Sequence, residues 1–265
     1  MLLTLLAGVF VGIVMGLSGA GGGILSVPAL VATQGWSLEQ AAPVALLATC
    51  LGASVGTAEG LRRRLVRYRA ALLIAAASLP FSWLGVMLAH AVPTSLLTVA
   101  FAAVLVFVAL RLLRNASSAT AELGWVEGPL TGHIDPESGR FRWSAATAVL
   151  FVGVGAVAGF LSGLLGVGGG FAVVPLLRRY TDASMHVIVA TSLMIVALVS
   201  LGSLANALSH GAVLPAVITP WFAASVAAGM LVGRRFVRSL APHHVQRGFA
   251  ALLLGVAVML LLRLM

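Results

Sequence analysis

Lysine is absent from this 265-residue chain, and acidic residues number only seven. Charged residues of both signs make up 9% of the sequence, against the roughly 25% with which a soluble domain hydrates its surface. That shortage excludes an ordinary water-soluble globule. A single cysteine, Cys50, excludes a disulfide framework and a cysteine metal cluster. No paired carboxylates, Ser/His/Asp set or zinc signature occurs within the apolar runs, so the chain does not read as an enzyme. His243 and His244 sit beside arginines without further ligand partners, and neither a metal nor a cofactor is expected.

What the chain has instead is apolar surface. Hydrophobic residues make up 60% of it and the mean hydropathy is +1.10, which predicts an all-α polytopic membrane protein. The net charge of +9 rests on sixteen arginines. In a soluble protein that excess points to nucleic acid. In a membrane protein it reports loops held in the cytoplasm, so the expected partners are the bilayer and a small ligand, with no nucleic acid. The N-terminal Met1-Leu2-Leu3-Thr4 lacks a basic segment, so it reads as a retained first helix and not a cleaved signal.

A spanning helix needs about 20 apolar residues. Runs near that length cover 2–18, 41–59, 70–90, 94–113, 144–165, 187–208, 213–233 and 246–264. Two shorter runs, 22–33 and 169–177, each follow a glycine-rich stretch. Shifting the sequence by 147 positions superposes its halves without a gap. Gly8, Gly12 and Gly16 fall on Gly155, Gly159 and Gly163. Gly19, Gly21, Gly22, Gly23 and Pro28 fall on Gly166, Gly168, Gly169, Gly170 and Pro175, and Glu59 falls on Asn206. The organisation is therefore a first membrane repeat (1–113), a polar cytoplasmic linker (114–143) and a second membrane repeat (144–265). Duplicated halves interrupted by Gly and Pro at matching positions are the sequence pattern of a secondary transporter.

The arginines choose between two topologies. If 2–33 crosses once, six of the sixteen arginines fall outside the cytoplasm. If the chain enters along 2–18, turns at the glycines and returns along 22–33, the inside loops are 60–69, 111–143, 178–186 and 234–247, and fifteen arginines lie inside. The second arrangement makes the halves inverted repeats. Each is a glycine-broken re-entrant helix pair followed by three spanning helices. Both termini then lie outside the cytoplasm of a multi-pass protein of a cell membrane, the bacterial inner membrane being expected.

Glycine placed at membrane depth has two readings. The spaced Gly8, Gly12 and Gly16 with their mates suit close helix contact. The consecutive Gly19, Gly21, Gly22, Gly23 and Gly166, Gly168, Gly169, Gly170 form no helical stripe, and irregular backbone at that depth belongs where it lines a cavity. A short helix starting there exposes amide donors at its positive end, which suits an anion. A nucleotide loop is excluded, because neither copy carries the Gly-Lys-Ser/Thr ending. Among side chains, Thr191, Ser192 and Asn206 are the expected substrate donors, with Ser18, Thr49 and Ser203 as further hydroxyls that also suit bonding within their own helices. Glu59 has two readings, a helix-end ion pair with Arg62 or Arg63 and a group that couples transport to protons.

These stretches resemble a known family. Gly159-Phe-Leu-Ser-Gly163-Leu-Leu-Gly166-Val-Gly168-Gly-Gly170, then Val174-Pro175 and Ala190-Thr191-Ser192-Leu193, is similar to the sulfite exporter TauE/SafE family. The N-terminal copy, with Gly19, Gly21, Gly23, Val27 and Pro28, resembles that family's first repeat. The resemblance implies a permease for a small anion, commonly sulfite or an organosulfonate, and often an exporter. The first copy departs from the second at Val44-Ala45, where the second has Thr191-Ser192, so side-chain ligands are expected mainly from the second half. A passive anion channel and a non-transporting membrane scaffold are the alternatives. Substrate, direction, coupling ion and oligomeric state stay open at this point.

Overall fold

Apolar runs that leave no water for the backbone must satisfy their own N–H and C=O groups, and the helix is the local way to do so. The computed structural model describes residues 1–19, 21–117, 132, 141–236 and 242–262. It is helical throughout its long segments. The helices are α1 (Leu2–Ser18), α2 (Ser26–Gln34), α3 (Leu38–Arg62), α4 (Tyr68–Ala91), α5 (Thr94–Ser117), α6 (Ala145–Leu165), α7 (Gly170–Tyr180), α8 (Met185–Ser209), α9 (Ile218–Phe236) and α10 (Pro242–Leu262). A 3₁₀ turn, Gly21–Leu25, leads into α2. Helix starts are chemically marked. Ser37 and Gln40 form a reciprocal capping box at α3, and Ser144 Oγ accepts the Thr147 amide at 3.1 Å to open α6.

The 147-residue offset is visible in the helices themselves. α3 begins at Leu38 and α8 at Met185, and they end at Arg62 and Ser209. Eight of the helices overlie the eight long apolar runs, and α2 and α7 overlie the two short ones. By length and composition α3, α4, α5, α6 and α8 are each able to cross a membrane, and α1 stops one residue short of the 18-residue length. Large apolar side chains such as Leu72, Phe107, Val149, Leu201 and Trp221 point outward, as a lipid-facing surface requires. Of the linker 114–143, the structure describes the end of α5, Gly132 and 141–143; the remainder, with Glu122, Glu127, Asp135 and Glu137, lies outside the described residues. Gly132 meets the end of α7, its amide donating to the Tyr180 carbonyl at 3.0 Å. Arg238, Arg263 and the side chains of His243 and His244 also lie outside the described residues.

Each half docks its first helix on the fourth helix of the other. α6 lies along α4 in the same direction, with Gly155, Gly159 and Gly163 against Ile74, Ser78 and Ser82. α1 lies along α9 in the same direction, with Gly8, Gly12 and Gly16 against Ser225, Val226 and Met230. A Cβ at Gly159 would strike the Ser78 carbonyl, and one at Gly12 the Val226 carbonyl. Between lipid-facing helices no hydrophobic drive exists, so this close backbone approach supplies the contact. At the centre α3 and α8 run antiparallel, Gly60 beside Ala190 and Gly56 beside Leu193. α5 and α10 cover one flank, packed on each other with Phe101, Leu105, Leu253 and Ala257 buried, α5 against α3 and α10 against α1. Gln34 Nε2 donates to Thr4 Oγ1, which ties the far end of α2 to the start of α1.

Overpacking of this kind costs about 1–3 kcal/mol per site. Gly159→Val should therefore lower the melting temperature of the detergent-solubilised protein by several degrees, whereas Gly153→Val, where an added Cβ meets nothing within 4 Å, should leave it within about a degree. Thermal unfolding followed by circular dichroism reads both.

Candidate functional site

Two breaks in helix continuity face each other inside the protein. After α6, Gly166 (φ +69°) caps the helix, its amide donating to the Ser162 carbonyl at 2.9 Å. Gly168 (φ +71°) and Gly169 (φ +65°) then turn the chain into α7. Side-chain-bearing residues lose roughly 1–2 kcal/mol in that left-handed conformation, so the glycines are required there. In the first half Gly19 (φ +83°) ends α1, and Gly21, Gly22 and Gly23 wind into the 3₁₀ turn. Matching letters thus adopt different backbones. The second break has three left-handed glycines, and the first has one followed by a tight turn.

The glycines also allow three chains to touch. A Cβ at Gly23 would sit 2.8 Å from Thr49 Cγ2 and 3.3 Å from the Val167 carbonyl oxygen, so the two breaks are in contact. One at Gly168 would lie 3.0 Å from Thr49 Cγ2 and collide with Ser200 Oγ. At Gly169 the obstacle is the Ala158 carbonyl, 2.5 Å away. Thr49 of α3 therefore stands between both breaks. Its hydroxyl is 3.3 Å from that of Ser26, on the first turn of α2.

α8 passes both breaks with one face. Val189 lies against Gly19, and Val196 and Ser200 lie against Gly168. Ser192 shares the spacing that joins these positions on one helix face. Ser192 Oγ and Ser200 Oγ are fully buried and find no hydrogen-bond partner among the described residues. A buried hydroxyl left this way costs about 1–3 kcal/mol, and two on one face beside a glycine break are donors without an intramolecular use. At the start of α7 the amides of Ala172 and Val173 donate to the Gly169 carbonyl, at 3.1 and 3.3 Å, while those of Gly170 and Phe171 have no carbonyl one turn back within the helix and form its positive end.

The other side chains expected at the site have other places. Thr191 Oγ1 accepts the Arg67 amide at 3.0 Å, capping the start of α4 from across the chain. The Asn206 amide donates to the Leu79 carbonyl at 3.4 Å and to Ser82 Oγ at 3.3 Å. Ser82, Ser203 and Ser162 continue that chain at 2.8 and 2.9 Å, joining α4, α8 and α6. Ser18 bonds back to the Val14 carbonyl at 2.8 Å. Glu59 pairs with Arg63 at 2.8 Å, the helix-end reading, and also with Arg234 of α9 at 2.9 Å. Ser200 was not singled out from the sequence. Its eight-residue distance from Ser192 on one helix is a signal that could have found it.

Cavities open at both ends of α3. One of about 470 Å³ is lined by Glu59, Arg63, Leu231, Arg234 and Arg235. The other, about 730 Å³, lies between Trp36, Leu46, His90, Leu165 and His210, reaching the approach to the second break. There His90 and His210 stack with ring centroids 6.1 Å apart, each Nδ1 held 2.8 Å from a carbonyl of its own helix. Among the described residues no group of three or more His, Cys, Asp or Glu side chains is placed to hold a metal.

An apolar-surfaced helical bundle with cavities at both ends of its central helix has the architecture of a polytopic membrane protein. The chain belongs to the sulfite exporter TauE/SafE family, whose model matches residues 4–260. That family is one of membrane permeases and not an enzyme class. Among curated proteins the chain is similar to the probable membrane transporter protein YunE of Bacillus subtilis, 27% identical over 213 residues that cover 77% of this chain and 75% of the relative. No solved structure matches the chain.

The hydroxyl census separates structural serines from spare ones. Ser203→Ala should interrupt the Ser82–Ser203–Ser162 chain and lower the melting temperature by several degrees, at about 1–3 kcal/mol for the donors and acceptors left unpaired. Ser200→Ala removes a hydroxyl without a partner and should leave the melting temperature unchanged or raise it.

Proposed function

We propose that the protein is a secondary transporter that carries a small oxyanion, sulfite or an organosulfonate, out of the cytoplasm. The anion binds between the two glycine breaks, contacting the amides of Gly168, Gly169 and Gly170, the matching backbone of Gly19, Gly21, Gly22, Gly23 and Gly166, and the hydroxyls of Ser192 and Ser200. The observation that carries this reading is the pair of unpartnered, fully buried hydroxyls on the α8 face that runs from one break to the other. Donors there are neutral, since the nearest guanidiniums lie at the helix ends. Neutral donors and a helix terminus hold an anion loosely, which suits cargo that has to leave. Membership of a sulfite exporter family supports the substrate class and the direction.

In this reading the halves are inverted and α1–α2 and α6–α7 are re-entrant pairs, with both termini outside the bacterial inner membrane. Three observations support it. The matching helices α3 and α8 are antiparallel, the start of α1 is tied to the end of α2, and Arg63, Arg67, Arg178, Arg179, Arg234 and Arg235 fall where α3, α7 and α9 end and α4 begins. Two cavities at opposite ends favour a carrier that alternates its access over a continuous channel.

Flux of sulfite into proteoliposomes tests the function, with thiosulfate, sulfate and alkyl sulfonates as competitors. Saturation and counterflow are expected. Gly169→Leu and the double variant Ser192→Ala/Ser200→Ala should lower flux at least about tenfold, equivalent to the loss of about one hydrogen bond to a charged group, with insertion retained. Wild-type flux in both would remove the break as the site. For topology, the native Cys50 is buried, which favours single introduced cysteines as probes. Arg62→Cys and Arg235→Cys should label from the same face of the membrane, and labelling from opposite faces would overturn the inverted arrangement.

A further inference from the structure

The cavity at the arginine-bearing end of α3 has a charge pattern that the fold does not demand. Glu59 Oε1 and Oε2 are shared between Arg63 Nη2 at 2.8 Å and Arg234 Nε at 2.9 Å. Arg234 Nη1 also donates to the Gly56 carbonyl at 2.6 Å, which anchors the guanidinium on α3. With Arg235 on the same wall, three guanidiniums face one carboxylate. In the other half the positions matching Glu59, Arg63 and Arg234 hold Asn206, His210 and Met87. There the α8–α4 contact is made by the neutral amide of Asn206 on Leu79 and Ser82. The architecture thus closes its matching end without an ion pair; a cytoplasmic position accounts for the arginines at this end, but not for the carboxylate held between them.

We infer that Arg234 and Arg63 form a second oxyanion site at this mouth, in which the Glu59 carboxylate is a built-in competitor that an arriving oxyanion displaces. This deepens the proposed function and rests on its reading of a small-oxyanion cargo. A carboxylate and a sulfite or sulfonate offer a guanidinium the same two-oxygen edge, so one substitutes for the other without rearranging the donors. The exchange is accessible because the pair is hydrated. The Glu59 and Arg63 side chains are 35% and 50% exposed and Arg234 is 18% exposed, and an ion pair open to water holds weakly. The cavity's excess positive charge draws anions to it, and salt screens that attraction. Displacement also has a mechanical meaning. Glu59–Arg234 joins α3 of the first half to α9 of the second, so the anion that takes Arg234 releases a strap between the halves.

The test is a titration of the purified full-length protein in detergent with sodium sulfite, sodium sulfate and sodium methanesulfonate at constant ionic strength, read by calorimetry. Glu59→Gln removes the competitor and should tighten binding of all three anions about two- to fivefold, the range set by a weak, partly exposed pair. Arg234→Met, which installs the residue of the matching position, should abolish that component, and the Glu59→Gln/Arg234→Met protein should show no gain. Glu59→Asp, whose shorter side chain retracts the carboxylate, should tighten binding to a lesser degree and serves if the glutamine variant does not fold. Unchanged or weaker affinity in a folded Glu59→Gln or Glu59→Asp protein would overturn the inference. The two proposals fail separately. Loss of flux in Ser192→Ala/Ser200→Ala with no tightening in Glu59→Gln rejects the mouth site alone, and tightening in Glu59→Gln with wild-type flux in the serine variant rejects the central site alone.

Discussion

Backbone contact at glycine is the constraint on which the rest of the structure depends. Lipid tails are as apolar as leucine, so two helices in a membrane gain little by hiding leucine from their surroundings. They gain by approaching closely enough for many weak dispersion contacts. Gly155, Gly159 and Gly163 set α6 on the carbonyls of α4, and Gly12 and Gly16 do the same for α1 on α9, with Gly8 against the Ser225 side chain. Those two seams fix the outer frame. Only within a rigid frame can two helix breaks be held tip to tip, with Gly23 against Val167 and Thr49 wedged between them.

The frame and the breaks use the same residue for opposite ends. Spaced glycines make helices fit, and consecutive ones make a helix stop. At Gly166, Gly168 and Gly169 the left-handed backbone ends one helix and starts another within four residues, leaving amide donors at the start of α7. Around them the hydroxyls divide by use. Ser82, Ser162 and Ser203 satisfy one another and bind three helices together, while Ser192 and Ser200 satisfy nothing. The centre is polar yet uncharged, and full charges are kept toward the end of α3, on Arg63, Arg234 and Arg235.

Much of the framework was legible in the sequence because helix length and repeat offset are one-dimensional properties. The apolar runs locate the helices to within a few residues, and the shift of 147 that superposes the glycines also superposes α3 on α8. Conformation at the breaks was less legible. Gly21, Gly22 and Gly23 wind into a 3₁₀ turn while Gly168 and Gly169 go left-handed, since glycine permits both and the neighbours in space decide. Side-chain roles were hardest to read. A threonine that caps α4 and a serine without a partner are the same kind of letter, and only the cross-chain register assigns Thr191 to Arg67 and Ser200 to Gly168. Spacing of four residues gave the Glu59–Arg63 pair, but nothing local announces Arg234, which arrives from the other half.

The crossed docking of first and fourth helices has a consequence for how the protein is made. α1 leaves the ribosome before α9, yet the surface that receives Gly8 and Gly12 is at Ser225 and Val226, on α9. At synthesis rates of roughly 5–20 residues per second, its glycine face waits on the order of 10–40 s for its partner. During that time neither half has a finished surface of its own. The chain is therefore an interleaved body whose halves mature together.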